Sequence, residues 1–246
     1  MKTDINILTE AFKKFGICLN ERQIQQFVDY YEILVTENEK MNLTAITDWK
    51  EVVFKHFVDS SSIIKLFNDY DELSEFFKGK SIADIGTGAG FPGVVLKILL
   101  PDLKVTLMDS LEKRVGFLNR VIDKLQLTGI TTIHGRVEDL AKEEIHREKY
   151  DFSTARAVAA LPVLCEYCVP FVKKDGSFFA YKSEKADEEI LLCENAFKEL
   201  KCNVANKKSF CIDENEMHRT IIEIRKSGNT PIKYPRKAGT PTKKPL

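Results

Sequence analysis

The chain has 246 residues, 43% hydrophobic and 30% charged, enough for one large α/β domain with a small appendage. It contains no run of about 18 apolar residues, which excludes a transmembrane helix, and Met1-Lys2-Thr3-Asp4 offers no apolar core for a secretory signal. Its 37 basic and 37 acidic side chains cancel, which excludes a strongly basic nucleic-acid binder, yet residues 225–246 carry seven Lys/Arg and no acid.

In chain order, Leu8, Ala11, Phe12 and Phe15 recur at helical spacing and stop at Gly16. Over residues 20–36, Ile24, Phe27, Val28, Tyr31, Leu34 and Val35 form one apolar stripe. Residues 49–57 and 62–67 read as further helices, and 68–80 as a connection. From residue 81 the pattern becomes short apolar runs (81–85, 105–109, 131–134, 151–155, 177–182) alternating with helical segments (94–100, 113–125, 137–144, 157–172, then 186–200). That alternation predicts a parallel sheet covered on both faces. Residues 203–212 and 220–225 have no helix between them and are expected to pair antiparallel at an edge. Residues 230–246 hold four prolines and read as an extended arm, which either reaches for phosphates or wraps the protein's own acidic body. The organisation is then a helical extension (1–78), an α/β domain (79–226) and a basic arm (227–246).

The segment richest in chemistry is Ser81-Ile-Ala-Asp84-Ile-Gly86-Thr-Gly88-Ala-Gly90-Phe91-Pro-Gly93. A strand runs into a glycine-rich turn and then a helix, an arrangement that lets backbone approach a ligand without Cβ interference. The spacing also satisfies the dinucleotide pattern G-x-G-x-x-G. The register favours Asp-x-Gly-x-Gly-x-Gly, which looks like the first motif of S-adenosylmethionine methyltransferases. An acid at the mouth suits a cationic ligand and repels pyrophosphate, which weighs against an NAD-linked oxidoreductase. Asp109, ending the second strand, is placed to accept from ribose hydroxyls. Val137 and Glu138 follow the third strand, where such enzymes hold the adenine; the competing reading of Glu138 is an acid complementing a helix dipole. Arg156 ends the fourth strand and suits a carboxylate or a guanine, or else a salt bridge. Phe91 either shields the ligand or packs in the core. For His56 and Asp59 an inter-domain hydrogen bond is favoured over acid–base work. Lys113, Arg114, Arg120, Lys182, Arg236 and Lys237 are the cations expected to meet phosphate of a polyanionic partner.

The position after the fourth strand reads Thr154-Ala-Arg-Ala-Val-Ala159 and lacks the Asn/Asp-Pro-Pro-aromatic motif that grips an exocyclic amine. Cys165 and Cys168, on one face of an expected helix, suit core packing and lack a second ligand pair for zinc. With Cys18, Cys193, Cys202 and Cys211 they are expected to be reduced thiols in a cytoplasmic protein. No metal is expected.

With their flanks, these residues resemble one family, ribosomal RNA small-subunit methyltransferase G, also called glucose-inhibited division protein B. The matching stretches are Lys40-Met-Asn-Leu-Thr-Ala45, His56-Phe-Val-Asp-Ser60, the glycine turn, Asp109-Ser-Leu-Glu-Lys-Arg114, Thr154–Ala159 and the tail from Tyr234. The resemblance implies a doubly wound, Rossmann-like sheet and S-adenosylmethionine as cofactor. It implies N7 of a guanine in 16S rRNA as the acceptor, in the small subunit or an assembly intermediate, and Gly86, Phe91, Val137, Glu138 and Arg156 as cofactor-contacting positions. Guanine N7 carries an in-plane lone pair, so no general base is assigned. A monomer is expected, with no membrane partner. The alternatives are a small-molecule methyltransferase, an NAD-linked oxidoreductase and a non-catalytic RNA-binding protein with a relic pocket.

Overall fold

The computed structural model describes residues 3–212 and 217–246; Met1 and Lys2, on which part of the leader reading rests, lie outside the described residues. Helix α1 (Ile5–Lys14) starts at the Asp4 cap, and α2 (Glu21–Met41) starts with a reciprocal capping box between Asn20 and Gln23. Then come a short α3 (Trp49–Val52), a π-helical turn Val53–Val58 and a 3₁₀ turn Ser62–Leu66. The two plain helices expected over 49–67 are thus replaced by wider and tighter turns. Residues 68–80 are more than a connection. Asp69 accepts the Glu72 N–H and starts α4 (Tyr70–Phe77), which buries Leu73 and Phe77.

The sheet comprises β1 (Ser81–Ile85), β2 (Lys104–Asp109), β3 (Ile130–His134), β4 (Tyr150–Arg156), β5 (Val172–Lys182), β6 (Cys202–Cys211) and β7 (His218–Lys226). Its order is β3-β2-β1-β4-β5-β7-β6, parallel through β5 and antiparallel at β7 and β6. The chain reverses its direction of travel across the sheet between β1 and β4, which opens a crevice at the carboxyl ends of the strands. The connecting helices are α5 (Gly93–Leu99), α6 (Glu112–Lys124), α7 (Val137–Leu140), α8 (Leu161–Cys168), α9 (Ala186–Leu191) and α10 (Glu194–Leu200). The single helices expected over 157–172 and 186–200 are shorter or split. Ala157 has φ +57° and the α8 helix begins only at Leu161, with Pro162 in its first turn, where a missing N–H costs nothing.

One apolar cluster joins α1 and α2 to α5, α6 and one face of the sheet, through Phe12, Phe27, Tyr30, Phe57 and Phe117. The other face packs on α8 and α10 and takes in Tyr234 of the tail. The expected extended arm is corrected here, because residues 230–246 lie against the body and end in α11 (Thr240–Lys243). No helix among the described residues is long and apolar enough to cross a membrane.

Candidate functional site at the carboxyl ends of β1, β2 and β4

The turn after β1 is tied to its neighbour strand: Gly86 N and Thr87 N both donate to Met108 O, at 2.9 and 3.1 Å. Gly86 and Gly88 sit at φ +67° and +63°, where a Cβ is strained. A Cβ at Gly88 would meet nothing within 4 Å, so space lies open before the turn, whereas one at Gly86 would come 2.9 Å from the Val158 side chain. Gly90 serves packing: a Cβ there would come 2.6 Å from Tyr30 Oη, whose hydroxyl donates to Ala89 O. Helix α2 therefore braces the turn from behind.

Asp84 corrects an expectation. It is fully buried beneath the turn rather than at its mouth, because its Oδ2 accepts from Thr87 Oγ1 at 2.6 Å and from Gly93 N at 2.8 Å. Its Oδ1 has no hydrogen-bond partner among the described residues. Burial, only partly offset by those two donors, pushes the carboxyl up to about 6.

Asp109, at 3% exposure, accepts Gly88 N at 3.0 Å and Arg114 Nη1 at 3.3 Å on Oδ2, and Leu111 N at 2.9 Å on Oδ1. A carboxylate has about four acceptor positions, so Oδ1 keeps room for one more donor. Glu138, in the first turn of α7 after β3, accepts Gly239 N at 3.1 Å, and Val137 packs on the second apolar cluster.

At the end of β4, Arg156 Nη1 donates to Asp59 Oδ2 at 2.7 Å and to Lys55 O at 3.0 Å. The salt-bridge alternative for Arg156 is realised, with an acid from the helical extension. Asp59 also accepts Arg219 Nε at 2.9 Å on Oδ1, so one carboxylate sits between two guanidiniums. Phe91 is buried: its ring stacks on His56 at 4.6 Å, touches Tyr30 and lies 5.1 Å from the Arg156 guanidinium. His56 Nε2 lies 2.8 Å from Thr44 Oγ1, and burial together with the Arg156 charge lowers its pKa to about 4. His56, Asp59 and Arg156 line a cleft of about 490 Å³ with Tyr181, Lys182 and Arg219.

Of the expected RNA contacts, Lys113 and Lys237 are exposed. Arg236 is corrected: it makes a bidentate pair with the fully buried Glu166 and is a structural anchor. Lys182 pairs with Glu189 at 2.7 Å, and Arg120 with Glu37 at 2.7 Å. Sequence reading missed Tyr30 and Arg219. Tyr30 lies three residues after Phe27, within reach of a spacing argument; Arg219 lies at the start of β7 with nothing local to single it out.

A doubly wound sheet with a glycine turn after β1 and an acid ending β2 defines the class of Rossmann-like methyltransferase folds. Solved structures agree at the level of fold. M. jannaschii TYW2 in complex with AdoMet aligns with TM-score 0.51 at 12% identity, over 66% of this chain and 76% of that one. MtNAS in complex with MTA and tNA aligns with TM-score 0.51 at 12% identity, over 91% and 76%. The family model described as rRNA small subunit methyltransferase G matches residues 23–219. "Ribosomal RNA small subunit methyltransferase G" of Acetivibrio thermocellus is 46% identical over 240 residues, covering 98% of this chain and 96% of that one. The protein of the same name from Listeria welshimeri is 48% identical over 236 residues, covering 96% of each. The chain belongs to the rRNA small subunit methyltransferase G family.

Proposed function

We propose that this chain transfers the methyl group of S-adenosylmethionine to N7 of a guanine in 16S rRNA, acting as a cytoplasmic monomer on the small subunit or its assembly intermediate. The six free cysteines fit a reducing compartment. When bound, S-adenosylmethionine supplies a sulfonium-activated methyl group as the electrophile. The residues present fit it. The orphaned Asp84 Oδ1 is an acceptor in want of a donor, which an ammonium supplies directly or through water. The free position on Asp109 Oδ1 suits a ribose hydroxyl, and the open space before Gly88 admits the ligand to the backbone. Val137 and Glu138 then border the adenine, and Gly86, Gly90 and Phe91 shape the turn from behind. In this reading residues 1–78 form one wall of the substrate cleft, 79–226 hold the cofactor, and Lys113 and Lys237 remain open to RNA phosphate.

The observation that carries the acceptor assignment is that, among the described residues, neither His56 nor Asp59 of the cleft is available as a base. His56 is held neutral with its pKa at about 4, its ring nitrogens within hydrogen-bonding distance of Thr44 and Arg156, and Asp59 is engaged by two arginines. Amine methylation must dispose of a proton; guanine N7 has none to lose. Catalysis then rests on holding N7 in line with the methyl carbon at about 3–3.5 Å, a contribution of several kcal/mol. The test is methyl transfer from labelled S-adenosylmethionine to small subunits lacking the family's modification, followed by mass analysis of the nucleosides. 7-Methylguanosine is expected in the 16S rRNA. Label in an exocyclic amine or a pyrimidine carbon refutes the N7 assignment, and label only in a small molecule refutes the RNA substrate.

A further inference from the structure

The C-terminal segment is fastened to the body by contacts that a passive tether does not need. Arg147 spreads its guanidinium over three tail carbonyls, donating to Tyr234 O at 2.8 Å, Thr230 O at 2.9 Å and Pro231 O at 3.2 Å. Tyr234 Oη donates to Glu199 at 2.7 Å. Arg236 takes both oxygens of Glu166, and its Nη2 also donates to Lys244 O at 2.8 Å, closing residues 236–244 into a compact loop. Tyr167 and Thr242 share a hydrogen bond of 3.1 Å between their hydroxyls. At the tip of this loop stands Gly239, with φ +77° and its N–H on Glu138 Oε1 at 3.1 Å. Arg147, Glu199 and Glu166 hold the tail from the scaffold, whereas Gly239 holds Glu138 directly and Thr242 shares the hydroxyl of Tyr167, which lies beside Glu138.

We propose that residues 230–246 form a strap that sets the cofactor pocket, with Gly239 as the positioning residue that orients Glu138 through its backbone N–H. The inference rests on the reading that Glu138 borders the cofactor. A glutamate has three side-chain torsions, and immobilising such a chain on binding costs affinity. A charge-assisted bond from a pinned backbone N–H settles the carboxylate before the ligand arrives. The left-handed conformation at 239 is what turns that N–H inward, and glycine adopts it without strain. The arrangement also accounts for the Arg236–Glu166 pair, which holds the loop base so that its tip stays in register with Glu138.

The test uses the full chain and three variants at residue 239, because a Cβ there meets nothing within 4 Å and side-chain size is not at issue. Gly239→Asn keeps the N–H and tolerates a positive φ. Gly239→Pro removes the donor and cannot reach that φ. Gly239→Val keeps the donor but strains the conformation, and serves if the proline variant misfolds. In calorimetric titration with S-adenosylhomocysteine, Asn should bind within about twofold of wild type and Pro about tenfold more weakly, as expected for losing a hydrogen bond to a charged group. Val should also bind more weakly than wild type. In turnover, KM for S-adenosylmethionine should rise with the same factor while kcat at saturating cofactor stays within about twofold. In a Glu138→Ala background, Gly239→Pro should add nothing. The strap proposal is overturned if Pro and Val bind as wild type, or if Pro weakens binding equally with Glu138 absent. Failure of the wild type itself to bind S-adenosylhomocysteine refutes the proposed function instead.

Discussion

Asp84→Asn separates what the buried carboxylate does for folding from what it does for the ligand. In the folded chain burial lifts the Asp84 carboxyl from its ordinary 3.8 to about 6, so the folded state holds this proton more tightly than the unfolded state. The group therefore favours folding least when it is ionised: its penalty is small below pH 3.8 and grows as pH rises through about 6. At 1.36 kcal/mol per pKa unit the full penalty is about 3 kcal/mol, of which about 2 accumulates between pH 4 and 7. Asparagine keeps an oxygen for Thr87 Oγ1 and Gly93 N and places an NH₂ where Oδ1 has no partner, much as the protonated acid places an O–H. Variant and wild type should therefore be similarly stable at pH 4, and the variant more stable by about 2–3 kcal/mol at pH 7. Urea melts from pH 4 to 8 measure this, since other groups titrate alike in both proteins and cancel in the difference. Cofactor affinity should move the other way, because the negative partner for an ammonium is gone. A stability difference that stays flat across pH 4–7 refutes the reasoning.

Gly88→Ala places a methyl in the open space before the turn at φ +63°; stability should fall by about 1–2 kcal/mol and S-adenosylhomocysteine affinity by more than tenfold, read by calorimetry. Equal affinity in that variant would mean that the ligand lies elsewhere. Tyr30→Phe removes the hydroxyl that braces Ala89 O, costing about 1 kcal/mol in urea melts and raising KM for the cofactor, although Tyr30 lies behind the turn. Arg236→Ala strands the fully buried Glu166 and should destabilise by about 3 kcal/mol, whereas Lys237→Ala next door should leave the melting temperature unchanged. Similar melts for the two would show that the tail is not anchored as described.

The alternation of strands and helices, and with it a mostly parallel sheet with an antiparallel edge, was legible because its signals are local: apolar runs of strand length, glycine punctuation, and helical stripes between them. The glycine turn and Asp109 were legible for the same reason, since the chemistry of the turn is written in contiguous residues. What was not legible depends on which carboxylate meets which cation across the fold. Arg156 finds Asp59, 97 positions away, and Arg236 finds Glu166, 70 positions away. Neither distance leaves a periodic trace. The same holds for the tail, whose prolines and lysines read as a solvated arm while Tyr234, Arg236 and the Arg147 fork fold it onto the body. Asp84 shows the converse. Its position in the motif was plain, but only the fold reveals that the side chain turns inward to hold Gly93 N.

Charge placement in the cleft follows from the reaction proposed. Methylation at N7 leaves the guanine cationic and the departing sulfur neutral, so a positive charge crosses from the cofactor side to the RNA side. A cleft lined by unopposed cations would attract phosphate but resist that transfer, since unit charges 4 Å apart at an effective dielectric of about 20 interact by about 4 kcal/mol. Asp59 moderates this conflict. Shared between Arg156 and Arg219, it leaves the trio with one net positive charge rather than two, while both guanidiniums keep unpaired N–H groups for an acceptor. Lys182 is likewise neutralised by Glu189. The end of β7 and the tail follow the same economy, with Lys226, Lys233 and Arg236 each committed to a glutamate. In the function proposed, a chain of zero net charge whose cleft cations Lys55, Arg156, Lys182 and Arg219 are each paired with an acid recognises its guanine by the shape of the cleft and a few directed donors, with bulk attraction to RNA contributing little.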